Sequence, residues 1–181
     1  MSVILATAGS NSSTSINYKL VQFTADCIEE RPVECVELAG FDFPMYSEDL
    51  EKSAGIPQQI TEFRIRLQQA GGLLLSVNEH NGNPSAFFKN LLDWLSRDER
   101  RFLDGTPVFL MSASGGKRGA ISSRNVVEQM LERFGAEVVS TFSLSGYYDN
   151  FTPEKGITDP DMAAEHLAAL NTFLRSVSPK S

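Results

Sequence analysis

Ser2-Val3-Ile4-Leu5-Ala6-Thr7 runs through Ala8-Gly9-Ser10-Asn11-Ser12-Ser13-Thr14-Ser15 into Ile16-Asn17, and the reading of this stretch decides the fold. Its first part is an unbroken apolar run, as expected of a strand covered on both faces. Its second part is an uncharged turn of small residues. Its third part opens a helix, because Leu20, Phe23, Cys27 and Ile28 follow Ile16 at spacings that repeatedly return to one helical face. A strand that passes through such a turn into an amphipathic helix is the first half of a βαβ unit.

Outward from there the same unit recurs. Arg31-Pro32 stops the first helix, and Glu34 to Leu38 reads as a short strand. Ala39 to Gly55 follows with neither a helical nor a strand period, and a loop of that length is usually functional or mobile. Ile60, Phe63, Leu67 and Ala70 mark a second helix closed by Gly71-Gly72, before the buried strand Leu73 to Val77. Pro84 suits the first position of a third helix whose apolar face is Phe87, Phe88, Leu91, Trp94 and Leu95. Thr106 to Met111 is the fourth strand. Val127, Met130, Leu131 and Phe134 define the fourth helix, capped by Gly135. Ala136 to Val139 opens a fifth strand, Gly146 to Asp159 is a loop, and Ala163, Leu167, Leu170, Leu174 and Val177 form the face of a last helix. The Ser178-Pro179-Lys180-Ser181 tail reads as a frayed terminus. The pattern predicts five strands and five helices around a mostly parallel, doubly wound sheet, in a single domain over residues 1–181.

Composition narrows the function. A chain of 181 residues that is 41% hydrophobic suits one three-layer domain. A net charge of −7 and a pI near 4.9 argue against a nucleic-acid partner or an anionic membrane, which need clustered Lys and Arg. No window reaches the ~18 apolar residues of a membrane helix, and the start lacks the basic leading segment of an export signal, so the expected location is cytoplasmic. Cys27 and Cys35 lack CxxC spacing and read as buried structural thiols; with His80 and His166 they match no zinc pattern, so no metal site is expected.

Ligands of doubly wound sheets sit outside the carboxyl ends of the strands. Three loops leave those ends: Ala8 to Ser15, Asn78 to Asn83 and Ser112 to Gly119, all rich in Gly, Ser, Asn or Thr. The first leads directly into a helix N-terminus, where amide donors and the helix dipole converge on one spot. Without an adjacent Lys or Arg it suits a hydrogen-bonded monophosphate better than a magnesium triphosphate; its plain alternative is a Ser or Thr N-cap. GxxxxGK[ST], GxGxxG and GxSxG are absent, which weakens ATP hydrolysis, a dinucleotide fold and a serine hydrolase built on Ser114 and His80.

Three segments together resemble a family. Gly9-Ser10 with Ser15-Ile16-Asn17 is similar to the phosphate-binding pattern GSxRxxSxN of the NADPH-dependent FMN reductases, a group containing quinone, azo-dye and chromate reductases. Asn78-Glu79-His80-Asn81-Gly82-Asn83-Pro84, continuing to Lys89-Asn90-Leu91-Leu92-Asp93-Trp94-Leu95-Ser96-Arg97, resembles PEYNxSxP…LKNAIDWLSR; Phe43 to Glu51 resembles LPLYxxDLE. Ser12 stands where the family has Arg, and His80 where it has Tyr.

The resemblance implies a flavodoxin-like three-layer α/β sandwich with a five-stranded parallel sheet of order 2-1-3-4-5. It implies FMN held by Ser10, Ser12, Ser15, Ile16 and Asn17 at its phosphate and ribityl end, by backbone groups of Asn78, Glu79, His80 and Asn81 along the ring, and by Ser114, Gly115 and Gly116 at the ring's other polar edge. The implied reaction passes hydride from NADPH, or NADH, through FMN to a quinone-like acceptor, with no obligatory protein acid or base. A homodimer or tetramer is implied. The rival is a flavin-binding electron carrier or redox sensor without its own NADPH turnover. His80 either meets flavin or substrate or is satisfied within its loop; His166 is expected to be structural or solvated. Lys117 and Arg118 either meet the NADPH 2′-phosphate or are solvated. Tyr46 and Phe43 either cover a neighbouring subunit's flavin or plug their own domain.

Overall fold

The computed structural model describes residues 2–177, so the Ser178–Ser181 tail lies outside the described residues. The central sheet is parallel in the order β2-β1-β3-β4-β5, formed by β1 (Ile4–Ala8), β2 (Val33–Val36), β3 (Gly72–Val77), β4 (Pro107–Ala113) and β5 (Glu137–Leu144). β1 lies between β2 and β3, in register Ile4 with Val33 on one side and Ile4 with Gly72 on the other. The strand order therefore reverses between β1 and β3, and the chain leaves these two strands toward opposite faces.

Alternation along each strand distributes the core. Ile4, Ala6, Ala8, Leu74, Phe109, Met111, Phe142 and Leu144 pack on the face covered by α1 (Ile16–Asp26) and α7 (Pro160–Ser176). Leu5, Leu73, Leu75, Val77, Val108 and Leu110 pack on the face covered by α3 (Gln58–Gln69), α4 (Ala86–Asp98) and α5 (Ile121–Arg133). In the inner strands β1, β3 and β4 both faces are buried, so period two carries no polar signal and they read as largely continuous apolar runs.

Several expectations need correction. Ala39 to Gly55 is structured: a 3₁₀ turn at Leu38–Gly40 precedes α2 (Glu48–Ala54), whose N-cap Ser47 accepts from Leu50 N–H at 3.2 Å. None of the α2 residues is buried, so no apolar period marks it. Gly146 to Asp159 holds the one-turn α6 (Tyr147–Asn150) and a hairpin of β6 (Phe151–Thr152) with β7 (Gly156–Ile157). Pro84 precedes the N-cap Ser85 instead of opening α4. Leu167 is 54% exposed, because α7 buries His166, Leu170 and Phe173. Both cysteines are exposed, Cys27 as the C-cap of α1 and Cys35 on edge strand β2, so neither is a buried structural thiol. No helix among the described residues is long and apolar enough to cross a membrane.

Candidate active site

The first loop is fixed at both ends and open between them. Gly9 N–H donates to Ser76 C=O at 2.9 Å, and Ser85 Oγ donates to Gly9 C=O at 3.0 Å. A Cβ at Gly9 would lie 2.6 Å from Phe88 Cδ2, so the α4 ring demands glycine there. Ser10 is buried and its Oγ accepts from Ser12 N–H at 3.2 Å; Ser12 Oγ accepts from Thr14 N–H, and Ser15 Oγ caps α1 at Tyr18 N–H. The N–H groups of Asn11, Ser13, Ile16 and Asn17 donate in none of the described hydrogen bonds. These amides, at the positive end of α1 and without a neighbouring anion, fit a phosphate-bearing group. The N-cap reading is met by Ser15 Oγ, and the amides that donate in none of the described hydrogen bonds are other atoms of the same loop.

Asn17 has a second task. Its buried Oδ1 accepts from Ser76 Oγ at 2.7 Å and from Ala113 N–H at 2.8 Å, while Nδ2 donates to Ala113 C=O at 3.2 Å. This amide ties α1 to the carboxyl ends of β3 and β4, leaving its backbone N–H to face a ligand.

After β3 the chain folds into a tight turn. His80 N–H donates to Asn83 C=O at 2.8 Å and Asn83 N–H returns to His80 C=O at 3.1 Å, around Asn81 and Gly82 at φ 54° and 75°. Glu79 Oε2 accepts from Ser123 N–H at 3.1 Å in the first turn of α5, whose own N-cap Ala120 offers no side chain. Ser123 Oγ donates to Asn78 C=O at 2.7 Å. The exposed His80 ring pairs its Nε2 with Asn78 Nδ2 at 3.1 Å, and Asn78 Oδ1 is buried without a partner.

The third loop is tied to the chain after β5. Ser114 N–H donates to Leu144 C=O at 3.2 Å, Tyr147 N–H donates to Ser114 C=O at 3.0 Å, and Gly146 N–H donates to Gly116 C=O at 3.0 Å. Ser112 Oγ donates to Gly119 C=O at 2.6 Å. Gly115 and Gly116 are left exposed on this braced frame. Ser114 Oγ points at Gly116 C=O, so no Ser114–His80 pair is formed among the described hydrogen bonds. Lys117 and Arg118 are exposed, with Arg118 donating to Ser122 Oγ at 2.9 Å.

The aromatic loop docks on its own domain. Asn90 Nδ2 and Trp94 Nε1 both donate to Pro44 C=O, at 3.0 and 2.8 Å, and Tyr46 N–H donates to Asn90 Oδ1 at 2.8 Å. The Tyr46 ring meets Trp94 edge-on at 5.1 Å, and its hydroxyl shares Glu51 Oε2 with Arg97 Nε. Hydrogen bonds from Arg97 and Tyr46 hold the Glu51 carboxyl below its ordinary pKa, and the same carboxylate raises the Tyr46 phenol. Phe43 packs on Phe87 at 5.3 Å. The Lys-Asn-x-x-Asp-Trp-x-Ser-Arg motif is thus a clamp for the Phe43–Glu51 segment, a role its residue types alone do not reveal. His166 is buried beside Phe23, Phe109 and Phe142, with Nε2 2.8 Å from Thr24 Oγ1, and burial lowers its pKa to about 4.

A five-stranded parallel sheet in this order, with helices on both faces, defines a flavodoxin-like α/β protein. Residues 2–149 match the NADPH-dependent FMN reductases. The chain belongs to that family, and it is an oxidoreductase with FMN and NAD(P)H as its cofactors. It is 30% identical over 129 residues to an NAD(P)H-dependent FMN reductase of Pseudomonas aeruginosa, covering 71% of this chain and 68% of the relative. It is 27% identical over 142 residues to a quinone reductase of Escherichia coli, covering 75% and 76%. The flavoenzyme NAD(P)H:(acceptor) oxidoreductase FerB of Paracoccus denitrificans shares the fold, with a TM-score of 0.79 at 21% identity over 98% of this chain and 97% of that one. Family membership favours the reductase over a carrier without turnover.

Proposed function

We propose that residues 1–181 act as one domain that passes hydride from NADPH or NADH through FMN to a quinone-like small acceptor. In this reading the amides around Ser10, Ser12, Ser15, Ile16 and Asn17 receive the FMN phosphate and ribityl chain. Asn78, Glu79, His80 and Asn81 line the ring, and Ser114, Gly115 and Gly116 approach its other polar edge, where missing side chains permit close contact. When bound, FMN supplies the hydride chemistry, and the chain's own part is to orient the rings and exclude competing reactions. The observation that carries the reading is the set of unpaired amides at the uncharged start of α1. The quinone reductase relative supports the acceptor class. Homodimeric or tetrameric assembly and a cytoplasmic location belong to the same proposal.

The purified protein is expected to absorb near ~450 nm, to release FMN on denaturation and to oxidise NADPH steadily with a soluble benzoquinone. A colourless protein that ignores added FMN overturns the assignment. Reduction only through a partner reductase overturns the direct use of nicotinamide.

A further inference from the structure

Tyr148 belongs to none of the three loops singled out in the sequence, yet it stands over one of them. At 76% exposed it is the most exposed large apolar side chain among the described residues. Its hydroxyl makes none of the described hydrogen bonds. The ring lies against Gly115, where a Cβ would be 2.9 Å from Tyr148 Cε2 and 3.1 Å from Cδ2. The ring of Tyr148, from the chain after β5, thus rests directly on the bare backbone of Gly115.

That neighbour is held rigidly while its ring is left free. Gly146 takes φ +55° and donates to Gly116 C=O, Tyr147 donates to Ser114 C=O, and Asn150 Nδ2 donates to Ser145 C=O at 3.0 Å. Tyr147 is buried and stacked on Phe151 at 4.9 Å, and Tyr148 meets it edge-on at 5.5 Å. An ordinary plug would turn its apolar ring inward, as Tyr147 does. Here the pair is split: one tyrosine anchors the one-turn α6, and its neighbour leaves its ring largely exposed beside Gly115.

We infer that Tyr148 is the specificity contact for planar aromatic acceptors, forming a fourth wall of the site beside Gly115. The inference rests on the proposed FMN site. A tyrosine face contributes by offset or edge-on contact with another ring and gives little to a non-planar acceptor, so the substrate class it selects is quinonoid or otherwise aromatic.

The test compares FMN-loaded wild type, Tyr148→Ala and Tyr148→Phe. Three quantities are read: the FMN dissociation constant by flavin fluorescence, the affinity for 2-naphthol as a non-reducible planar ring by perturbation of the flavin absorbance, and the benzoquinone KM and kcat. Tyr148→Ala is expected to weaken 2-naphthol and raise the benzoquinone KM about tenfold, the scale of one aromatic contact, with FMN affinity moved less than threefold. Tyr148→Phe is expected to restore both. Unchanged 2-naphthol binding and KM in Tyr148→Ala overturn the inference. So does a loss of FMN affinity that tracks the loss of ring binding, which would assign Tyr148 to the flavin. Failure of wild type to bind FMN at all strikes the underlying site instead, and is read in the first measurement alone.

Discussion

The two edges of the sheet differ in what they offer. At the amino edge, the ends of α1 and α7 leave an open groove of about 550 Å³ lined by Cys27, Glu29, Glu30, Arg31, Asn171 and Arg175 among others. At the carboxyl edge the loop before α1 carries a row of amides that donate in none of the described hydrogen bonds, and two further glycine-bearing turns leave the same edge. The same helix explains the contrast. The N-terminus of α1 points at the carboxyl edge and its carbonyl-bearing end at the amino edge, so one end favours an anion and the other repels it. The groove offers volume; the direction of the peptide dipoles favours the loops for an anion.

The sharpest way to break this contrast is to reverse the charge preference at each edge. Ser10→Asp sets a carboxylate into the cradle, at a cost of about 4 kcal/mol for like charges some 4 Å apart near a surface, roughly a thousandfold in affinity. Arg31→Glu alters the amino groove by a larger change in charge, and it is expected to leave FMN affinity within twofold. Flavin fluorescence titrations of both variants decide between the edges: an Arg31→Glu protein that loses FMN would move the site to the groove.

A second measurement probes α7, which supplies one wall of that groove and carries His166 in its middle. Burial holds the imidazole neutral with a pKa of about 4, below the ordinary 6.5. The folded state thus resists a proton that the unfolded chain accepts. Stability from this group is full above pH 6.5, falls as the pH drops toward 4, and changes no further below it. The total is about 3 kcal/mol, from the size of the shift. Urea unfolding of wild type and His166→Leu at pH 7.5, 5.5 and 4 is expected to show a steeper loss in wild type. Parallel losses would mean that His166 takes its proton in the folded state.

What could be read from the sequence follows the same division between burial and exposure. The three inner strands announce themselves as fully buried apolar runs, and four of the long helices by a buried stripe, as Ile60, Phe63 and Leu67 form on α3. α2 buries nothing and leaves no period. α7 misleads by phase, since a buried histidine occupies the stripe that Leu167 seems to own. In the site, the residue types of the first loop fit an anion cradle, but which atoms stay free depends on bonds made at long range. Asn17 reads as a ligand residue and spends its side chain on Ser76 and Ala113. Glu79 reads as a ring contact through its backbone, and the residue type gives no hint that its carboxylate caps α5. Tyr148 gave no signal, because its meaning depends on Gly115 lying beneath it.

The smallest expected effect concerns the motif most recognisable in the sequence. Trp94 is fully buried on the flank of α4, and its indole N–H reaches Pro44 C=O at 2.8 Å. Trp94→Phe keeps part of the ring packing against Tyr46, removes that one hydrogen bond and leaves a small cavity, a loss of about 2 kcal/mol in urea unfolding. Pro44 C=O still accepts from Asn90, so the Phe43–Glu51 segment stays in place. Because the clamp lies along the helix flank, FMN affinity is expected to remain within twofold while stability falls. If the flavin titration instead moves tenfold with stability nearly intact, the segment that Trp94 holds reaches the carboxyl edge, and the cradle depends on a fourth element that its own hydrogen bonds do not include.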